Sequence, residues 1–173
     1  TAGGRVLRRL DLEMPEPEER RRHWCRALGR PGVSPQLAGV RLPNPVILAA
    51  QYYDPAILRR AMGLGFGAVT AKTITLDARP GHPQPNLVRT RSTAGPGLVN
   101  CNGFANPGLA RFREAVSRLP HRVPLILSVA GESAEDYVAL VGGLAAYADL
   151  VEFNVSSPNT KLVYGWATRP REL

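Results

Sequence analysis

Short apolar runs alternate with longer helical patterns along most of this 173-residue chain, and this order constrains the fold more than any other feature. The predicted strands are residues 46–50, 68–73, 123–129 and 149–154, and the predicted helices are residues 55–64, 107–119 and 133–147. Strands that alternate with helices pair in parallel, because each helix returns the chain to the same end of the sheet. The sequence therefore predicts an α/β fold around a parallel sheet.

Amide and hydroxyl side chains concentrate in two loops. The segment Asn154-Val-Ser-Ser-Pro-Asn-Thr160 follows the last predicted strand and holds two amides and three hydroxyls. Such groups donate and accept hydrogen bonds, so the loop is able to bind a planar polar ligand. Five of the seven asparagines lie here or between Asn100 and Asn106. Turn formation explains single asparagines in loops, but this concentration favours a binding site.

Lysine is rare in this chain, since only Lys72 and Lys161 stand among its 22 basic residues. Arginine does not replace a compact ammonium group in a tight pocket. A lysine retained in this chain therefore indicates a site that needs the compact positive charge of its own side chain. Lys72 shares one face of its predicted strand with Thr70, as Asn154 does with Glu152. The alternative to a functional site is a buried structural ion pair between Lys72 and Glu152.

Four segments resemble, in this order, motifs of the flavin-dependent dihydroorotate dehydrogenase family. They are Asn44-Pro-Val-Ile-Leu-Ala-Ala50, Gly65-Phe-Gly-Ala-Val-Thr-Ala-Lys-Thr73, Asn100-Cys-Asn-Gly-Phe-Ala-Asn-Pro-Gly108 and the loop 154–160. The resemblance implies a (β/α)8 TIM barrel, a fold that usually needs ~250 residues. We therefore expect residues 36–173 to form about the first four βα units, the N-terminal half of the barrel. Residues 1–35 are expected to form a basic helical extension and linker.

The resemblance also implies a reaction and a site. The reaction is the oxidation of dihydroorotate to orotate in pyrimidine biosynthesis, with FMN as cofactor and Ser157 as general base. The implied substrate-binding residues are Lys72, Asn100, Gly103, Asn106, Asn154 and Asn159. The implied FMN-binding residues are Ala49, Ala50, Lys72, Thr73 and Asn154. One departure stands beside the predicted flavin site, where Gln51-Tyr-Tyr-Asp54 replaces the family's usual Gly followed by Phe or Thr.

Several alternatives stay open. Ser157 resembles the base of the membrane-associated class 2 enzymes, whereas Thr70-Ala-Lys-Thr73 looks more like the soluble class 1 enzymes. The electron acceptor is therefore a quinone, fumarate or an NAD-linked subunit. Ser157 is otherwise a turn-capping hydroxyl before Pro158. The competing functions are a related FMN-dependent dihydropyrimidine dehydrogenase domain and a non-catalytic half-barrel that serves as a scaffold.

Composition narrows the remaining function classes. The net charge is +8, but the basic residues are scattered, so we expect no nucleic-acid partner. The two cysteines have no metal-ligand spacing, and we predict neither a metal nor a disulfide. We expect a cytoplasmic protein that self-associates. A predicted helix over residues 18–28 either docks on the barrel or makes peripheral contact with a membrane through residues 1–30.

Overall fold

The computed structural model describes residues 18–19, 22–23, 34–93, 95–120, 122–157, 163 and 166. The strands are β1 (Gln36–Leu37), β2 (Val40–Arg41), β3 (Ile47–Leu48), β4 (Ala68–Ile74), β5 (Leu87–Ser92), β6 (Gly95–Asn100), β7 (Leu125–Val129) and β8 (Leu150–Phe153). The helices are α1 (Pro55–Met62), α2 (Gly108–Val116) and α3 (Ala134–Leu144), which a 3-10 turn, Ala145–Tyr147, extends.

Four strands form one parallel sheet in the order β3-β4-β7-β8. The helices α1, α2 and α3 connect these strands in turn, as the alternating pattern predicts. The fold is thus part of an α/β barrel, and the predicted fold class is confirmed. Several observed elements are shorter than predicted, and the largest fraction is lost in β3, where only two of the five predicted residues are in a strand.

The largest apolar core lies between the helices and the outer face of the sheet. Its buried members from the sheet are Val69, Ala71, Ile74, Leu125, Leu127 and Val129, and those from the helices include Leu58, Met62, Phe112, Val116, Leu140 and Leu144. The continuous apolar runs of β4 and β7 follow from this burial, since a parallel sheet in a barrel is covered on both faces. The helices also begin where the sequence indicates. Asp54 caps α1, and Ser133 with Asp136 forms a capping box on α3.

The inner face is closed at the amino ends of the strands. Leu42, which follows β2, packs there against Ala68 and Ile126. Asn44, two residues after Leu42, is fully buried. Its side-chain nitrogen donates to the Gly65 carbonyl at 3.0 Å, and its side-chain oxygen accepts from the Val46 amide at 3.0 Å. A side chain at Gly67 would collide with the Asn44 carbonyl, so glycine is required there. The buried hydrogen bonds of Asn44 and the close packing at Gly67 therefore stabilise the fold at this end of the sheet.

A β-bulge interrupts β4 beside β7. Ala71 is level with Leu127 and Ile74 with Val129, so three steps along β4 match two along β7. Ala71 and Ile74 both face the outer core, and the extra residue lets Lys72 and Thr73 both turn toward the inner face. Without the bulge, strict alternation along the strand would place Lys72 and Thr73 on opposite faces.

Two antiparallel hairpins were not predicted. Strands β1 and β2 pair across a tight turn, and β5 and β6 pair from Leu87 with Asn100 to Ser92 with Gly95. The second hairpin lies between the predicted strand 68–73 and the predicted helix 107–119, where no strand or helix was predicted. Strand β6 was not predicted because it begins with Gly95, Pro96 and Gly97, and glycine and proline normally weaken or end a strand.

Most of the predicted N-terminal helix, residues 18–28, lies outside the described residues. Within the described part, residues 18–19 and 22–23 are helical, and Arg22 pairs with Glu18 at 3.3 Å. No helix among the described residues is both long and apolar enough to cross a membrane.

Candidate functional site

Three polar side chains are hydrogen-bonded on the inner face at the carboxyl ends of β4, β7 and β8. Asn154 donates its side-chain amide to the Thr73 hydroxyl at 3.0 Å, and that hydroxyl shares a 3.0 Å hydrogen bond with Ser128. Lys72 precedes Thr73 in the bulge of β4. This chain of bonds links three neighbouring strands. It joins Thr73 and Asn154 of the predicted FMN site directly after Lys72 in the strand, and it adds Ser128.

Ser128 was not among the site residues predicted from the sequence. The side chain is fully buried, and its Cα is level with Glu152 of β8, two residues before Asn154. A signal was available, because Ser128 is the single polar residue in the apolar run Leu125–Val129. It falls on the same strand face as Ile126, the inner one.

Lys72 is a half-buried cation. Burial lowers the pKa of its ammonium group from the ordinary value of 10.5. Glu152 is exposed, and no ion pair between Lys72 and Glu152 exists among the described residues. The structural ion pair considered as an alternative is therefore absent from this structure. An anionic group beside Lys72 would offset the cost of its burial.

Asn154 is fixed on three sides at the end of β8. Its backbone amide donates to Val129 at 2.9 Å, its carbonyl accepts from the Tyr137 hydroxyl at 2.9 Å, and its side chain reaches Thr73. Its side-chain carbonyl has no partner among the described residues, so it is available as a hydrogen-bond acceptor. Ser157 follows three residues later and is half-buried. Asn159 lies outside the described residues.

Ala49 and Ala50 follow β3 at the same end of the sheet. The backbone amide of Lys72 donates to the carbonyl of Tyr52 at 2.8 Å, which ties the loop after β3 to the bulge of β4. Ala49 is exposed and Ala50 half-buried. Small side chains here leave room for a planar group to approach the backbone next to Lys72.

Asn106 has a structural role that differs from the predicted substrate contact. Its side chain donates to the Thr75 hydroxyl at 2.9 Å and to the Phe104 carbonyl at 2.7 Å, and it accepts from the amides of Thr75 and Gly108 at 3.3 and 2.9 Å. Both amide hydrogens and both carbonyl lone pairs are thus used. Asn106 is also 5% exposed, so it has no capacity left for a ligand in this conformation.

Asn100 and Gly103 lie where the β5–β6 hairpin returns to the barrel. Asn100 is the exposed last residue of β6. Gly103 has φ of +64°, and a Cβ there would come within about 2.8 Å of His82, so the turn requires glycine. No described contact joins Asn100 or Gly103 to Lys72 or Asn154. Their substrate contact stays a prediction.

An apolar groove of about 600 Å³ on the outer side of β8 is lined by residues that include Tyr137, Phe153 and Trp166. It is separated from the candidate site by the sheet.

Within the described part of the chain, no cluster of three or more His, Cys, Asp or Glu side chains is placed to hold a metal ion.

Comparison with known proteins identifies the family to which this chain belongs. The family model described as dihydroorotate dehydrogenase matches residues 33–170, and the chain belongs to that family. The catalytic subunit of dihydroorotate dehydrogenase B (NAD(+)) from Methanothermobacter thermautotrophicus is 36% identical over 125 residues, which cover 71% of this chain and 40% of that protein. A dihydroorotate dehydrogenase (quinone) from Verminephrobacter eiseniae is 37% identical over 139 residues, which cover 73% and 38%.

A solved structure is similar in fold. The Eimeria tenella DHODH in complex with ferulenol superimposes with a TM-score of 0.66 at 24% identity, over 85% of this chain and 45% of that one. The chain spans about two fifths of the length of the curated relatives it matches. The resemblance inferred from the four sequence motifs is confirmed at the level of the family.

Proposed function

We propose that this chain supplies the first catalytic loops of an FMN-dependent dihydroorotate dehydrogenase, which oxidises dihydroorotate to orotate in pyrimidine biosynthesis. One observation supports the proposal most strongly. Lys72 is half-buried without a described counter-charge, and it directly precedes Thr73, which belongs to a hydrogen-bonded set of two hydroxyls and an amide at the carboxyl ends of parallel strands. Active sites of α/β barrels occupy this end of the strands.

The residues present fit a flavin. A flavin ring is planar and carries carbonyl oxygens, so it needs hydrogen-bond donors at its edge and small residues beside its face. Lys72, Thr73, Ser128 and Asn154 supply donors, and Ala49 and Ala50 supply the small surface. A cation next to the ring favours negative charge on its reduced form. When bound, FMN accepts the hydride that leaves C6 of dihydroorotate.

Each remaining task falls to a residue of this chain. Ser157 takes the proton from C5 of the substrate, and its own proton passes to water or to a neighbouring hydroxyl. Lys72 faces the substrate carboxylate, which supplies the counter-charge that the ammonium lacks. The amides of Asn100, Asn154 and Asn159 hydrogen-bond the pyrimidine ring, whereas Asn106 and Gly103 hold the substrate loop in shape.

The electron acceptor of the second half-reaction stays open. Relatives named for NAD(+) and for quinone match this chain at nearly equal identity, 36% and 37%. We assign residues 36–173 to the barrel and residues 1–35 to an extension that precedes it. All of the candidate site residues lie in the barrel part of the chain. We propose that they carry out the first half-reaction, with dihydroorotate, in the same way for either acceptor.

Anaerobic titration of the full-length, FMN-loaded protein tests the proposal. Dihydroorotate should bleach the flavin absorbance, and orotate should bind as product. Dihydrouracil is the matched control, because it has the same ring without the carboxylate that Lys72 is proposed to face. Bleaching by dihydrouracil and not by dihydroorotate would favour the dihydropyrimidine dehydrogenase alternative. A protein that binds no flavin would favour the scaffold.

A further inference from the structure

Tyr137 anchors both ends of the segment that carries Ser157. We call residues 154–166 the base segment. At its start, the Tyr137 hydroxyl donates to the Asn154 carbonyl at 2.9 Å. At its end, the ring of Trp166 packs edge-on against the ring of Tyr137, with centroids 5.9 Å apart at 84°. One side chain of α3 therefore contacts the base segment before and after Ser157.

The second anchor is strengthened by a hydrogen bond. The Trp166 indole donates to the carbonyl of Gly131 at 3.1 Å, in the loop between β7 and α3. Tyr137 and Trp166 are each 7% exposed, so both rings are held by packing as well as by hydrogen bonds. An aromatic side chain buried together with its polar atom is rigid, because it loses both packing and a hydrogen bond when it moves.

Tyr137 is itself well placed to hold a loop. It lies in the first turn of α3, directly after the capping box of Ser133 and Asp136. Burial raises the pKa of its phenol. A backbone hydrogen bond at Gly131 lowers this pKa by a smaller amount, and the Asp136 carboxylate raises it by a still smaller one. The phenol therefore stays protonated and remains a donor at neutral pH. Its ring also packs edge-on against Phe153, the last residue of β8.

We propose that Tyr137 is a positioning residue for the reaction, which sets the place of Ser157 by fixing the two ends of the base segment. This inference rests on the proposed function for its catalytic part. Tyr137 lies on the outer side of the sheet, and the atom it holds belongs to the backbone of Asn154. The side chain of that same residue reaches the inner face. A shift of the Asn154 carbonyl would therefore move Ser157 and the amide at Thr73 together.

Hydrogen exchange of the full-length protein tests the anchor without reference to activity. Tyr137→Phe removes the hydroxyl and keeps the ring. Amides of the base segment should then exchange about 5-fold faster, as expected for the loss of one hydrogen bond. Tyr147→Phe is the matched control, because Tyr147 ends the same helical stretch and its hydroxyl makes no hydrogen bond within the described part of the chain. Equal exchange in the two variants would refute the anchor.

A double-mutant cycle with Ser157→Ala tests the positioning role. Tyr137→Phe should slow flavin reduction by dihydroorotate by about 10-fold when Ser157 is present, because small displacements of a reacting group are costly. In the Ser157→Ala background the further loss should be under about 2-fold, since residues that act through one another are not additive. Equal losses in both backgrounds would overturn the role.

Trp166→Phe provides a second variant at the other end of the segment. It removes the indole donor to Gly131 and keeps an aromatic ring against Tyr137. The same faster exchange and the same dependence on Ser157 are expected. If the unmodified protein shows no reduction by dihydroorotate, the proposed function fails, while the exchange experiment still decides whether Tyr137 holds the segment.

Discussion

The two ends of the parallel sheet treat their polar side chains in opposite ways. At the amino end, Asn44 is fully buried and uses its amide nitrogen and oxygen on backbone groups of the protein. At the carboxyl end, Lys72 has no described counter-charge, and the side-chain carbonyl of Asn154 has no described partner. The polar side chain at the amino end thus has its hydrogen-bond partners within the protein, whereas the carboxyl end presents a positive charge and a hydrogen-bond acceptor that a ligand would bind.

This difference follows from what each end has to do. A buried polar group without a partner costs about 1–3 kcal/mol, so a purely structural region keeps few of them. A binding site accepts that cost, because its partner is the ligand. Substitutions at the amino end should therefore lower stability, and substitutions at the carboxyl end should lower activity. Four experiments on the full-length protein test this contrast.

The largest effect is expected at Ser157. Ser157→Ala should slow anaerobic reduction of the flavin by ~10²–10⁴-fold, the usual contribution of a general base, with orotate affinity nearly unchanged. Stopped-flow absorbance measures the rate. Ser156→Ala is the control, since Ser156 is the exposed neighbour in the same loop. Equal rates in the unmodified protein and Ser157→Ala would remove Ser157 from the mechanism.

At the amino end, Asn44→Ala should lower the free energy of unfolding by about 2–4 kcal/mol, because two buried hydrogen bonds are lost and two backbone groups lose their partners. Denaturant unfolding measures the loss. The folded fraction should reduce its flavin at the normal rate. Asn154→Ala should give the reverse result, with impaired reduction and a much smaller change in stability. The contrast between the two ends fails if both variants change the same property.

Lys72→Met separates charge from packing at the carboxyl end. It keeps much of the side-chain length, so the melting temperature should stay level or rise slightly. Orotate affinity should weaken by ~10–100-fold, as expected for the loss of a hydrogen bond to a charged group worth ~1.5–3 kcal/mol. A lower melting temperature with unchanged orotate affinity would show that Lys72 is structural.

The smallest effect concerns pH. Burial lowers the pKa of Lys72 in the folded protein below its ordinary value of 10.5. The unfolded chain therefore binds the proton more tightly, and the cost of the charged side chain is fully present below the lowered pKa. Stability recovers as pH rises from the lowered pKa to 10.5.

A bound carboxylate acts in the opposite direction, because it favours the protonated form of Lys72. Orotate affinity should consequently fall as pH rises through the lowered pKa. Calorimetry in buffers of different ionisation enthalpy should detect proton uptake on binding at alkaline pH. The uptake should disappear in Lys72→Met, and its persistence there would assign the proton to another group.

Much of the fold was predictable, because burial on both faces of a parallel sheet leaves a clear apolar pattern in β4 and β7. The two hairpins were not, since glycine and proline within β6 mimic a loop. In the candidate site, the positions of Lys72 and Asn154 followed from their places at strand ends. The saturation of Asn106 did not, because the partners of an amide depend on how the loop folds around it.

The bulge in β4 also limits how this site could be transplanted. On a regular strand, adjacent residues face opposite sides, so copying Lys72 and Thr73 into another barrel would point one of them at the helices. A protein engineer would have to replace one residue of the regular strand by the pair Lys72 and Thr73. The extra residue of the bulge is one of this pair, so the irregularity of the strand and the two functional groups have to be transferred together.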